Sequence, residues 1–279
     1  MRLLSAMLVN STNITEKKYR KLALQIGLGG FTFCCFDTLE KRVLYVEEVD
    51  FGKYQKTSRI EDHYWKAFIE HTALTKDYDE ISVIHQNNLS TFVPTAIFDE
   101  DYLGSYLQYN TKVFETDFFT YDEVPNYSMN NVYIPYANIN NFLIDQFGPF
   151  DYRHTSTILV TKLLDLSKNH DEKQVYVHFD AAKFEMVVVQ NQKLLLFNSF
   201  EYRTKEDFIY YLLFTAEQLS LNPENFKLQL LGTVSEDSDL FQIAYKYVRN
   251  ISLLDVAELQ QHNDFSTEEN RKHFILLQS

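Results

Sequence analysis

The chain has 279 residues, 45% of them apolar and 23% charged, so it can bury the core of one large domain or of two ordinary ones. Its net charge of −13 argues against nucleic acid as a partner, because Lys17-Lys18-Tyr19-Arg20-Lys21 is the one dense basic run and reads as a solvated lead-in to a strand. With 7 glycines and 5 prolines it is not a linker-dominated chain, and no apolar run approaches the ~20 residues of a membrane span.

Cys34 and Cys35 are adjacent, point to opposite faces of a strand and are poor disulfide partners, which suits a reducing cytoplasmic setting. The opening MRLLSAMLVN is too short and too interrupted for a signal peptide.

Residues 1–18 read as a lead-in. Strands follow over 21–27, 30–38 and 42–51, split by GLGG and by Leu39-Glu40-Lys41; such short links force antiparallel neighbours. From Ser58, a candidate N-cap, apolar residues recur with helical period at Ile60, Tyr64, Ala67, Phe68 and His71. Residues 81–85 form a short strand. Residues 92–98 are expected to be extended because of Pro94, and 99–108 to be helical with an acidic first turn. Extended segments occupy 111–135. A helix over 137–147 stops at Gly148-Pro149. A strand over 150–154 and an amphipathic helix from Ser156 to Leu166 lead to the polar run 167–173.

The second half opens on another meander, residues 174–203. Thr204 then caps a helix with Phe208, Tyr211, Leu212 and Ala216 facing inward. A strand over 226–232, a helix over 237–248 with Leu240, Ile243, Ala244 and Tyr247 inward, and a strand over 251–255 follow. Residues 273–277 read as one last strand.

The two meanders align turn on turn. Gln25-Ile26-Gly27 falls over His178-Phe179-Asp180, an offset of 153 residues (178 − 25). The implied fold class is α/β: a duplicated ribonuclease-H-like arrangement of two βββαβαβ-type halves, the later strands joining through right-handed crossovers. The expected division is a lead-in over 1–18, a first half over 19–170 with extra material around 92–150, and a second half over 171–279.

The two hairpins, Leu231-Gly232-Thr233 and the start of the helix after Ser235 resemble the actin-like ATPase fold. The segments VPTAIFDE (93–100), VYIP (132–135) and HTST (154–157) are similar to an uncharacterised bacterial family of actin-like proteins, over roughly residues 20–277. That resemblance implies a ligand cleft between the halves, against the hairpin turns. It also implies an acid in an Asp-x-Gly pattern at each hairpin, since Mg²⁺ takes carboxylate oxygens and phosphate needs closely approaching backbone N–H groups. Here those positions hold Gln25 and His178, and the second turn, Asp180-Ala181-Ala182-Lys183, has no glycine. The nucleotide site is therefore expected to be degenerate.

Candidate cleft residues are Gly27, Gly29 and Gly30 as a phosphate cradle, Asp180 as a displaced metal acid, Lys183 as an anion contact and Gly232 for a purine. Each has a plainer reading: hairpin glycines supplying positive φ, an ordinary turn aspartate, a solvated lysine, the end of a strand. Glu47, Glu48 and Asp50 read as a solvated strand end. His178 reads as a packed, hydrogen-bonded histidine. The eight histidines have no metal spacing; His63 and His71 share a helix face two turns apart.

The expectation is a non-catalytic cytoplasmic scaffold. It has no cofactor, no metal and no catalytic residue, and it binds a protein partner through the extra material. The alternative is an ATPase or phosphotransferase holding Mg-ATP in the cleft through Asp180 and the GLGG turn.

Overall fold

The computed structural model describes residues 17–53, 59–181, 183–257 and 262–279. Most of the expected lead-in, the Ser58 cap and Ala182 lie outside them. β1 (Arg20–Ile26), β2 (Gly30–Asp37) and β3 (Arg42–Asp50) form the first meander. α1 (Ile60–Glu70) crosses to β4 (Glu80–His85). An inserted unit follows: β5 (Ser90–Pro94), α2 (Leu103–Leu107), β6 (Thr120–Val124) and β7 (Met129–Tyr133). α3 (Ala137–Phe147), β8 (Asp151–His154) and α4 (Thr155–Leu166) complete the half.

The second half repeats the plan with β9 (Gln174–Phe179), β10 (Lys183–Gln190), β11 (Lys193–Glu201), α5 (Lys205–Gln218), β12 (Lys227–Gly232), α6 (Asp239–Tyr247) and β13 (Asn250–Leu253). α7 (Thr267–Lys272) and α8 (Phe274–Leu277) end it.

The two large sheets have the same order, β3-β2-β1-β4-β8 and β11-β10-β9-β12-β13, each an antiparallel meander extended by two parallel strands. The inserted unit adds a third sheet, β5-β7-β6. The 153-residue offset is met in the backbone. The first hairpin closes Gly27 N–H to Gly30 C=O at 3.0 Å, and the second closes Asp180 N–H to Lys183 C=O at 2.9 Å. At the parallel neighbours, Gln86 N–H donates to Ile26 C=O and Thr233 N–H to Phe179 C=O. Even the bulges recur, between Cys35 and Phe36 on β2 and between Val188 and Val189 on β10.

Strand alternation sets three apolar layers. Leu22, Leu24 and Ile26 pack outward beneath α1 and α3, as Val175, Val177 and Phe179 do beneath α5 and α6. The alternate residues Ala23 and Tyr176 join a central core built around α4 and α8, between the sheets. Gln25 and His178 share that inner face by parity.

Several expectations change. α4 is buried nearly all round rather than amphipathic, because a sheet lies on either side of it. Residues 274–277 are helical rather than a strand, with His273 as the turn before them: Phe274–Leu277 is wholly buried, and a short apolar run shows no distinguishing period. The Ser266–Glu269 capping box preceding it was the available helix signal. Residues 95–97 turn into a 3₁₀ helix after β5. On α6, Phe241 rather than Tyr247 is buried. Glu47 and Glu48 are not merely solvated: Glu47 meets His71 at 2.8 Å, and Glu48 meets Lys272 and His273. Arg20, in the basic run, pairs with Asp37.

Candidate functional site

The cleft floor forms where the two hairpins, the end of β4 and the start of α4 converge. β4 carries the chain past His85, so that Gln86 and Asn87 stand between the hairpins. Gln25 Nε2 donates to Gln86 Oε1 at 3.0 Å, and Gln86 Nε2 donates onward to Asp180 Oδ2 at 2.5 Å. The other Asp180 oxygen accepts the Ala181 N–H at 2.7 Å. One hydrogen-bonded line thus crosses from the first hairpin to the second.

A second line runs beside it. Lys183 Nζ donates to the Asn87 carbonyl at 3.2 Å and to Glu185 Oε1 at 3.0 Å. Glu185 Oε2 contacts His178 Nδ1 at 3.1 Å, and Asn87 Oδ1 contacts His154 Nε2 at 3.1 Å. Glu185 is 2% exposed. Burial by itself would raise its pKa, yet the Lys183 ammonium and His178 hold it well below the ordinary carboxylate range. Burial pushes the His154 imidazole down to about 3 and that of His85 to about 4, so both are neutral at physiological pH.

The sequence-derived candidates separate on this geometry. Asp180 and Lys183 come together at the cleft, and both are engaged by first-half groups. Lys183 is a largely buried crosslink rather than a solvated turn lysine. In the first turn, Gly27 and Gly29 do not adopt positive φ, contrary to the expectation for hairpin glycines. Gly30 is required by close approach, since a Cβ there would lie 2.1 Å from the Val49 carbonyl oxygen. Gly232 has φ +87°, and its Cβ would fall 2.1 Å from the Phe179 carbonyl oxygen. His63 stacks on Phe51, away from His71. Among the described residues no group of three His, Cys, Asp or Glu is placed to hold a metal ion. Nor is any described helix long and apolar enough to cross a membrane.

Four cleft residues were not among the candidates from sequence: Gln86, Asn87, Glu185 and His154, the last of which entered only as part of the HTST motif. Glu185 had a usable signal. It is the one charge within FEMVVV, and a hairpin pairing Phe179 with Phe184 places it directly across from His178. The other three depend on long-range folding.

Removing the ammonium should leave the buried Glu185 charge with His178 alone. Lys183→Met is expected to lower the unfolding free energy by about 2 kcal/mol, read from urea denaturation at pH 7. An unchanged midpoint would mean that the crosslink contributes no net stability.

The fold has solved counterparts. A Bacteroides thetaiotaomicron protein described as having an actin-like ATPase fold and unknown function matches with a TM-score of 0.77 at 22% identity, over 88% of this chain and 95% of that one. The PilM–PilN type IV pilus biogenesis complex matches with a TM-score of 0.59 at 12% identity, over 92% and 96%. No curated protein matches the chain. At these identities the counterparts establish an actin-like, ribonuclease-H-like architecture, in keeping with the duplicated sheets. A family model extends over residues 9–251, and the chain belongs to that family, described as "Protein of unknown function (DUF3822)".

Proposed function

We propose that this protein is a non-catalytic, cytoplasmic member of the actin-like fold that serves as a protein-interaction scaffold. The observation that carries this reading is the line Gln25–Gln86–Asp180, which joins the two hairpins at the place where an actin-like ATPase would hold Mg-nucleotide. An amide and an imidazole stand at the two positions expected to be acidic. The one nearby aspartate has both oxygens engaged by N–H donors. Mg²⁺ bound with nucleotide is usually held by one or two carboxylates, whereas the two aligned positions here carry none and the displaced Asp180 is tied to Gln86, so these residues fit the group poorly.

The PilM–PilN complex offers the analogy of a similar fold working through a protein partner. On this chain the partner surface is assigned to the inserted unit, where the halves differ most. Ile97, Tyr102, Tyr109, Phe114 and Phe118 are all exposed there, a concentration that favours protein contact.

Calorimetric titration with Mg-ATP tests the reading. The expected result is no heat and no thermal shift at millimolar nucleotide. Tight binding abolished by Asp180→Ala would instead make the protein a nucleotide-dependent enzyme or switch. Excising 111–135 is a poor probe of the partner surface, because it removes β7, the central strand of the inserted sheet. Replacing Tyr102, Phe114 and Phe118 together by Ser spares that sheet. A pull-down in which this variant keeps every partner would move the surface elsewhere.

A further inference from the structure

The edge of the first meander is covered by a segment from the end of the second half. Val43 N–H on β3 donates to the His262 carbonyl at 3.0 Å, and Arg42 pairs with His262 in a parallel bridge. β3 is the outermost strand of its sheet, so this contact satisfies an edge donor.

The equivalent edge in the second half is β11. Gln190 and Lys193 pair across the two-residue turn Asn191-Gln192, whose residues both have positive φ. A two-residue hairpin closes on a hydrogen-bonded pair, so the next pair, Val189 with Leu194, is not hydrogen-bonded, and the Leu194 N–H points away from β10. Val43 holds the same place in the first half: it pairs with Phe36 immediately after the closing Asp37–Arg42 pair and immediately before the bulge. Leu194 therefore has the outward donor that Val43 uses on His262, and among the described residues no backbone segment is recorded against it.

This edge borders a cavity of about 690 Å³. Across the cavity lies β5, itself the edge of the inserted sheet. The two edges touch where Phe92 meets Phe197, with ring centroids 5.2 Å apart. The lining between them mixes apolar Leu194, Phe197 and Met129, which share the central core, with uncharged polar side chains such as Ser90, Asn110 and Asn198. Only Lys193 and Glu185 bring charge to the lining, and Glu185 is already neutralised by Lys183. In a chain of net charge −13, this is a nearly neutral groove walled by two strand edges.

We propose that the β11 edge is a strand-addition site for an extended, uncharged segment of a partner protein, which pairs with Leu194 as the segment at His262 pairs with Val43. Main-chain hydrogen bonds hold such a segment, and its side chains meet the mixed but nearly uncharged lining. The proposal rests on the scaffold reading and names the form of the partner.

The probe is a displayed library of random octapeptides selected on the whole protein. The expected result is peptides that protect the amides of Lys193–Ser199 from hydrogen exchange. They should lose at least tenfold in affinity to Leu194→Pro, which deletes the outward N–H at an edge position that tolerates proline. The thermal midpoint checks that this variant folds. If it does not, alternately N-methylated copies of the same peptides on the unaltered protein serve instead and should also lose at least tenfold. Three results would overturn the site: no peptide that protects these amides, equal binding after N-methylation, or protection by a second copy through concentration-dependent dimerisation. Mg-ATP titration of the same preparation separates the failures. Nucleotide binding through Asp180 overturns the scaffold reading, whereas silence toward nucleotide with an unprotected edge overturns only the strand-addition site.

Discussion

Gly232→Ala is expected to destabilise the protein by at least about 3 kcal/mol, enough to lower its urea midpoint sharply. Two costs combine. At φ +87° an L side chain is strained by itself. The added Cβ would also fall 2.1 Å from the Phe179 carbonyl oxygen and 2.9 Å from its nitrogen. Those are backbone atoms of β9, the central strand of its sheet, bonded on one side to β10 and on the other to β12. Neither strand can withdraw without breaking a ladder. Gly29→Ala is the control, because a Cβ there meets nothing within 4 Å and the backbone φ is not positive. It should be neutral or stabilising by up to about 1 kcal/mol. A loss below about 1 kcal/mol for Gly232→Ala would show that the β12 end relaxes around the added Cβ.

Stability should fall steeply with acid from pH 6.5 downward. His85 and His154 are buried, and burial lowers their pKa values to about 4 and about 3. Unfolded, both return to about 6.5. A depressed folded pKa contributes stability that is complete above the unfolded value and is lost as pH falls toward the folded one. Near pH 5 the unfolded chain therefore binds about two more protons at these sites than the folded one, a slope of about 2.7 kcal/mol per pH unit. Glu185 adds to the acid loss only lower down, below about 4.5, since its depressed pKa stabilises the fold above the ordinary carboxylate range. Asp122 has the opposite sign: burial raises its pKa despite bonds from the His154 N–H and from the Tyr133 and Thr157 hydroxyls. Its relief on protonation opposes the histidines at the acid end. Urea midpoints at pH 7.5, 6.5, 5.5 and 4.5 measure the profile. His85 Nδ1 accepts the Tyr136 N–H at 3.1 Å, a role that the Asn carbonyl in His85→Asn can take over. That variant should halve the slope near pH 5. A flat profile would mean that both imidazoles reach water or a proton partner in the native state.

The acid dependence and the cleft have one origin, the stacking of long-range polar contacts on a duplicated frame. The frame was legible in the chain. The strand triplets, their turns and the alignment of Gln25 with His178 are written in period-two patterns and turn residues, which act over a few neighbours. The contacts were not legible. Gln86 reaches Asp180 across 94 residues of sequence and Lys183 reaches Asn87 across 96, and no local pattern encodes such a meeting. Glu185 stood between these cases, detectable once the hairpin register was written out. Phe274–Leu277 failed for another reason: a segment buried on every side has no polar face from which to tell strand from helix.

By itself the sequence determined that this protein is two copies of one α/β plan, with an amide and an imidazole where the related fold expects acids. Burial alternation and turn chemistry are local, and they survive duplication. Only the tertiary structure decided what those substitutions sit beside. It set Gln86 between the hairpins, paired the buried Glu185 with Lys183 and His178, and gave β3 a backbone neighbour at His262 that β11 lacks among the described residues. Each of these depends on which distant segment arrives at a given edge, and that is settled by the packing of the two sheets around α4 and α8.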